Sequence, residues 1–427
     1  MSAVKLTAED RRVLDGVRGE AARFALAVIV RMGEAAGAER LLSIEQAHID
    51  ACALMSPSSL DLVSHLAEHG GRVAVPTTLS MVSLDLEHWK TLGVDPRFAA
   101  TATRIAEAYL KLGCIPTWTC APYQGYLTPR FGQQIAWGES NAVAYANSVL
   151  GARTNRYPDY LDICAAITGR APYTGLHRSE NRRATIHFHV ERTRAADWRV
   201  PAAWAAFGSL IGAQSIGGVP VIDGLPAFRP SNDMLKAFGA AAASSGSLEL
   251  FHMVGITPEA PDLAAACQGR PPSTERVVKR RQLAAAWQEL SSAGADSPID
   301  AVILGCPHTS YAEFAELSAA ISRRGSARAR PNVQFLVFTA ATTVELARRA
   351  GFLAPIERFG ATIVRDTCPF HSPVVAAAAK AIATNSGKCA YYAPGELGVH
   401  VAFGSLDACV EAAITGRMME EEAPWRA

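Results

Sequence analysis

Ala301-Val302-Ile303-Leu304-Gly305-Cys306-Pro307-His308 is an apolar run of four residues that ends on a glycine, a cysteine and a proline. A short, uniformly apolar stretch closed by a turn signal predicts a strand buried on both faces. The pattern returns at Val333-Gln334-Phe335-Leu336-Val337-Phe338 and at Ala361-Thr362-Ile363-Val364, with helical stretches between. Strands that alternate with helices read as a parallel βαβ array, so the fold class is α/β. In such sheets ligands lie beyond the carboxyl ends of the strands. Two of those ends are Gly305-Cys306-Pro307-His308 and Asp366-Thr367-Cys368-Pro369, which brings two cysteines to one edge. The Ala-rich segment that follows, Val374 to Ala383, reads as ordinary helix.

Working outward, a chain of 427 residues exceeds the size at which one core stops growing, so several domains are expected. The array forms a C-terminal domain, 296–427, and the middle, 186–295, a second. That middle opens on the alternating strand Thr185-Ile186-His187-Phe188-His189-Val190, is broken by Gly217-Gly218-Val219-Pro220, and ends in a polar-faced helix and linker from Arg276 to Ala295. The first domain, 1–185, carries helical periodicity from Val13 to about Gly37 and from Ala99 to Leu112. Between them Gly71-Arg72-Val73-Ala74-Val75-Pro76 reads as a strand, followed by the polar loop Thr77-Thr78-Leu79-Ser80, whose paired hydroxyls suit a ligand. Ile115 to Thr119 reads as a strand handing over to Cys120-Ala121-Pro122, and Ala142 to Leu150 as a helix with polar groups at both ends.

Lys+Arg 41 against Asp+Glu 40 leaves a net charge of +1, so nothing draws the chain globally to nucleic acid or anionic lipid. No apolar run approaches the roughly 18 residues of a membrane span, and Thr7 with Asp10 at the start is a helix-entry pattern, not a secretion signal. Cytoplasm is the expected location. Nine cysteines, an odd number spread over a long chain, argue for reduced thiols, most of them packing as small hydrophobes. Cys120, Cys306 and Cys368 stand apart, each following an extended stretch and preceding a proline directly or after one residue, on the kind of turn where thiolates converge on a cluster. Three ligands would leave one iron position open for substrate, as a Lewis-acid centre requires. A three-cysteine zinc site with a water fits the same residues. Cys52, Cys114, Cys164, Cys267, Cys389 and Cys409 mostly fall in helical or strand-interior patterns. His187 and His189 share a strand face, and without a third ligand in view they read as a surface pair.

Thr119-Cys120-Ala121-Pro122-Tyr123, Trp137-Gly138-Glu139-Ser140-Asn141-Ala142, Gly151-Ala152-Arg153-Thr154-Asn155-Arg156, Gly175-Leu176-His177, Gly305-Cys306-Pro307-His308 and Asp366-Thr367-Cys368 follow one another through most of the chain, and together they resemble the aconitase X family. The resemblance implies an aconitase-like multi-domain large subunit with its active site between domains, a dehydratase activity, and an iron-sulfur cluster held by Cys120, Cys306 and Cys368. Two activities are implied, dehydration of cis-3-hydroxy-L-proline to 1-pyrroline-2-carboxylate in bacterial-type members and of mevalonate 5-phosphate in archaeal-type members. The stretch from Asn155 to Cys164 looks more like the bacterial type. A small swivelling-domain subunit is implied as partner, bringing a serine for proton abstraction, because nothing after Cys409 is long enough to supply that domain. On this reading the carboxylate of a small hydroxy acid meets Arg153, Thr154 and Asn155 or the hydroxyls of Thr77 and Thr78, with Lys388 as a further cation. Ser140 and Asn141 serve either substrate or the cap of the following helix, and His177 and His308 are the catalytic candidates, donating hydrogen bonds to cluster or substrate. The non-enzyme alternative, an iron-responsive nucleic-acid-binding protein, is opposed by the +1 charge and the lack of a basic run.

Overall fold

Thr7 and Asp10 cap each other across the first turn, the Thr7 hydroxyl accepting from the Asp10 N–H and the Asp10 carboxylate from the Thr7 N–H. They open the first of two compact units, Met1–Arg183 and Ala184–Ala427, in a computed structural model that describes residues 4–294 and 296–425. The first unit runs α1 (Ala8–Leu14), α2 (Glu20–Ala35), β1 (Leu41–Ser43), β2 (Ala47–Ile49), α3 (Pro57–Glu68), β3 (Thr77–Leu79), α4 (Pro96–Lys111), β4 (Ala136–Trp137), α5 (Ser140–Ser148), α6 (Leu161–Thr168) and β5 (Arg170–Pro172). The strands form a parallel sheet in the order β3-β2-β4 and an antiparallel pair β1-β5. Its core includes Leu26, Ile29, Ile49, Ile105 and Ile163. The helical periodicity starting at Val13 is interrupted after α1 and resumes only at Glu20.

The strand expected at residues 71–76 lies instead at Thr77–Leu79. Pro76 has no N–H to donate, and its carbonyl accepts from the Ala47 N–H. Ladder pairing with Ala47–Ile49 therefore begins just after it. Thr77 and Thr78 are thus buried strand residues, not a polar loop.

The second unit holds two all-parallel sheets. One is built from β6 (Ile186–Val190), α7 (Pro201–Gln214), β7 (Pro220–Asp223), α8 (Asn232–Gly246), β8 (His252–Met253), α9 (Leu263–Ala266), β9 (Thr274–Val278) and α10 (Arg280–Glu289), with strand order β8-β7-β6-β9. Residues 276–278, expected in a helix, belong to β9, so that helix starts at Arg280; Ala295 at the far end of the expected segment lies outside the described residues. The other sheet comprises β10 (Ala301–Leu304), α11 (Tyr311–Ser322), β11 (Gln334–Thr339), α12 (Ala341–Arg349), α13 (Leu353–Phe359), β12 (Ala361–Arg365), β13 (Ala381–Thr384), α14 (Gly387–Glu396), β14 (His400–Phe403) and α15 (Leu406–Thr415). Its order is β12-β11-β10-β13-β14, so the chain winds one way from β10 and then reverses between β10 and β13. Such a reversal opens a crevice at the carboxyl ends of those two strands.

The Ala-rich segment Val374 to Ala383 is not a helix. It turns and then enters β13, which lies between β10 and β14. Side chains from the neighbouring strand region claim its backbone: Gln334 donates to the Val374 carbonyl and accepts from the Ala376 N–H, while Asp300 accepts from the N–H groups of Lys380 and Ala381. Tertiary pairing overrides the intrinsic helix preference of alanine here. No helix among the described residues is long and apolar enough to cross a membrane.

Candidate active site

Cys306 and Cys368 stand directly beyond β10 and β12, the two strands that flank β11. Their loops are tied together, since the His308 Nε2–H donates to the Thr367 carbonyl at 2.8 Å. The Phe370 N–H points at the Cys368 sulfur, 3.5 Å away, the arrangement by which an amide supports a thiolate ligand. On the other flank Ser386, the N-cap of α14, donates to the Cys306 carbonyl while its oxygen accepts from the Cys389 N–H at 3.0 Å. Lys388 follows in the first turn of that helix, half-buried. Cys306, His308 and Cys368 therefore stand on strand-end loops of one sheet, and Lys388 on the helix that follows β13 of the same sheet.

The Cys306 turn depends on Gly305, whose φ is +90°. A Cβ there would sit 2.0 Å from the Phe338 carbonyl oxygen. Gly305→Ala is expected to lower stability by about 3 kcal/mol, combining left-handed strain with overpacking. A shifted urea midpoint at unchanged slope is the check; a midpoint like the wild type's would contradict the argument.

A cavity of about 560 Å³ borders this loop, within the usual size of a small-molecule site. Cys306 and Pro307 line it, together with Asn385, Ser386 and Gly387; Cys368 and His308 do not. Its wall also holds Lys236, which is 3% exposed and bonds Asp233 at 3.0 Å, Glu313, and the His308 carbonyl at 3.2 Å. Burial disfavours the ammonium, but the two carboxylates outweigh it and hold Lys236 protonated. Lys236 thus fastens α8 to the segment that follows Cys306. Nothing in the spacing of α8 marked it.

In the first unit Cys120 lies beyond the carboxyl end of β3, where the Thr119 N–H donates to the Leu79 carbonyl at 3.1 Å. Asn141 anchors it, its amide donating to the Cys120 carbonyl at 3.0 Å and to Glu139 at 2.8 Å while its oxygen accepts from the Tyr123 hydroxyl at 2.8 Å. Glu139 is the N-cap of α5, and Ser140 also donates to it. Ser140 and Asn141 therefore fix the Cys120 loop against the start of a helix. Thr77 donates to the Val75 carbonyl, and the Thr78 oxygen meets His48 Nδ1 at 2.8 Å.

Arg153, Thr154, Asn155 and His177 form a separate cluster in the same unit. Arg153 donates to the Ser179 hydroxyl at 2.6 Å, Thr154 to the Asn155 carbonyl at 2.7 Å, and the Asn155 oxygen accepts from the Leu176 N–H at 2.7 Å. His177 has one ring nitrogen 2.6 Å from the Gln134 amide oxygen and the other against the Tyr157 hydroxyl. Burial, then the Arg182 and Arg153 charges, push its pKa down to about 3. The folded chain refuses a proton that the unfolded chain accepts below its ordinary value of about 6.5. The stabilisation is therefore present above that pH and lost as pH falls toward 3. The stability advantage of wild type over His177→Gln should shrink by about 2 kcal/mol between pH 7 and pH 5. Parallel unfolding curves at the two pH values test this; a constant difference would mean that His177 titrates normally.

Asp162, fully buried, is another group the spacing did not single out. Burial raises its carboxyl to about 7, although it accepts from the Asp50 N–H at 2.7 Å. Among the remaining cysteines, burial pushes Cys164 and Cys389 up to about 12 and raises Cys52, Cys114 and Cys409 as well. Those five are neutral thiols, poor metal ligands and ordinary core residues.

Sequence profiles of the aconitase X first, second and third domains match residues 3–180, 184–288 and 299–415 respectively. The cis-3-hydroxy-L-proline dehydratase of Pseudomonas aeruginosa is 46% identical over 415 residues, 97% of this chain and 70% of that protein. Its namesake from Hypocrea jecorina is 42% identical over 97% of this chain and 69% of its own length. The phosphomevalonate dehydratase large subunit of Methanocaldococcus jannaschii is 32% identical, covering 94% of this chain and 98% of that one. The crystal structure of Thermococcus kodakaraensis aconitase X in its holo form superposes with a TM-score of 0.85 at 31% identity, covering 96% of this chain and all of the other.

Proposed function

The chain belongs to the aconitase X family, and on that premise we propose that it is the large subunit of a hydro-lyase converting cis-3-hydroxy-L-proline to 1-pyrroline-2-carboxylate. The observation that carries this reading is the 42–46% identity to two cis-3-hydroxy-L-proline dehydratases across 97% of the chain, against 32% to a phosphomevalonate dehydratase large subunit. A small partner subunit belongs to the same reading, because the Methanocaldococcus jannaschii relative is itself named a large subunit. The chain spans about 70% of the length of the two hydroxyproline enzymes and 98% of that large subunit.

Cys120, Cys306 and Cys368 are the residues that would hold an iron-sulfur cluster. The donor chemistry fits: Cys306 and Cys368 lie on strand-end turns, and Cys120 lies on a loop beside the end of β3, where the strand expected at residues 115–119 is only a bridge at Ile115. An amide already aims at Cys368, and five of the other thiols are held neutral in the core. When bound, such a cluster with three protein ligands supplies a Lewis acid that eases departure of a hydroxyl group. In the reaction the C2 proton goes to a base, the C3 hydroxyl leaves as water, and the resulting enamine tautomerises to the cyclic imine. Lys388, on the first turn of α14, offers a cation and helix-end N–H groups to the substrate carboxylate. His308, its Nε2 proton committed to Thr367, keeps the Cys306 and Cys368 loops in register. The proton acceptor at C2 is assigned to the small subunit.

The test is to co-express the chain with its small subunit, reconstitute it with iron and sulfide without oxygen, and assay both substrates. Formation of 1-pyrroline-2-carboxylate is expected. Turnover of mevalonate 5-phosphate alone would replace this substrate assignment with the other family activity.

A further inference from the structure

His187 and His189 lie two residues apart on β6 and so share one face of the sheet. In the parallel pairing of β6 with β7, His189 is in register with Asp223, which puts the carboxylate on that same face. One oxygen of Asp223 lies 3.1 Å from His187 Nε2 and 2.7 Å from His189 Nδ1. The three ligand atoms all fall within 4.8 Å of one another. Asp223 supplies the third ligand that the sequence of β6 could not show, because it arrives from a strand more than thirty residues away.

Two features give the trio the character of a built site. All three stand on strands: His189 and Asp223 at or next to the carboxyl ends of β6 and β7, the side on which parallel sheets bind ligands, and His187 two residues back along β6. The turn after Asp223 is also pressed against β6: Gly224 has φ +76°, and a Cβ there would lie 2.4 Å from the Val190 carbonyl oxygen. The Asp223 backbone is thereby held beside His189. His187 is largely covered and His189 open, with side-chain exposures of 13% and 56%, so an ion can enter from solvent while one ligand stays anchored. On the far side of β6, Glu275 pairs in register with His187 and is exposed, so an outer carboxylate stands on the same face.

We propose that His187, His189 and Asp223 bind a divalent transition-metal ion of zinc's class. Two imidazoles and a carboxylate are a donor set that zinc takes with one position left to water. The donors are nitrogen and oxygen, unlike the thiolates of Cys120, Cys306 and Cys368. An ion here clamps β6 to β7, and so stabilises the second unit independently of the dehydration chemistry.

Zinc ion itself is the probe. The full chain carrying its iron-sulfur cluster is dialysed against buffered zinc, and bound metal is counted by elemental analysis. The wild type should hold one zinc per chain beyond its iron. His189→Ala and Asp223→Asn should weaken that binding at least about tenfold, the loss seen even for outer partners of metal ligands. Circular dichroism verifies folding, and the openness of His189 makes its variant the safer one. Zinc-edge X-ray absorption should show nitrogen or oxygen at about 2.0–2.1 Å and no sulfur at about 2.3 Å. Sulfur in that shell, or zinc uptake unchanged in both variants, overturns the proposal.

Discussion

Replacing Cys306 with alanine is expected to lower kcat by about 10³-fold or more and to strip iron from the protein. The size follows from the several kcal/mol that a Lewis-acid centre contributes, with each 1.4 kcal/mol worth about a factor of ten. Cys306 stands beyond β10, its carbonyl bonded by Ser386 and its loop tied to Thr367 through His308. The backbone should therefore stay in place when only the sulfur is lost. Cys267, buried after α9, provides the control. Cys267→Ala removes a small hydrophobe and should leave iron content and turnover unchanged while reducing stability by about 1 kcal/mol. Metal analysis and steady-state assays on the two variants would distinguish them, and equal iron in both would defeat the ligand assignment.

The second large effect is one of stability. Lys236→Met should destabilise the second unit by about 3 kcal/mol, because it leaves Asp233 and Glu313 facing each other without their shared cation. Breaking a buried ion pair typically costs about 3–5 kcal/mol. The lower end applies because the two acidic side chains retain 20% and 30% exposure. A double variant, Lys236→Met with Glu313→Gln, should recover part of the loss, since it removes one of the stranded charges. Denaturant unfolding of the three proteins is the measurement. A loss below about 1 kcal/mol would place this trio among ordinary surface pairs.

The parallel array was legible where the residues act locally. Val302 and Ile303, or Phe335 to Phe338, are apolar on both faces and end at turn residues, so β10, β11 and β12 lie within a residue or so of where those runs predict. β13 was hidden because Ala381 and Ala383 carry no strand preference; Asp300, Gln334 and the neighbouring strands impose it. Thr77 and Thr78 were misplaced for a related reason. Polar residues after a proline resemble a loop until buried partners such as His48 satisfy their hydroxyls. The positions of Cys306 and Cys368 followed from strand ends, a local feature. Lys236 and Asp223 did not, because their partners come from distant segments and no periodicity records such a pairing. The grouping of Asn141 with Cys120 was equally invisible, since twenty-one residues separate them and only the fold closes the gap.

The proposed iron-sulfur centre takes Cys120 as a ligand beside Cys306 and Cys368. The direct measurement is iron and acid-labile sulfide per chain in Cys120→Ala, purified and reconstituted beside wild type. Iron should fall to the level found for Cys306→Ala, with the visible absorption lost. Full iron and full colour in Cys120→Ala would contradict a centre shared by all three.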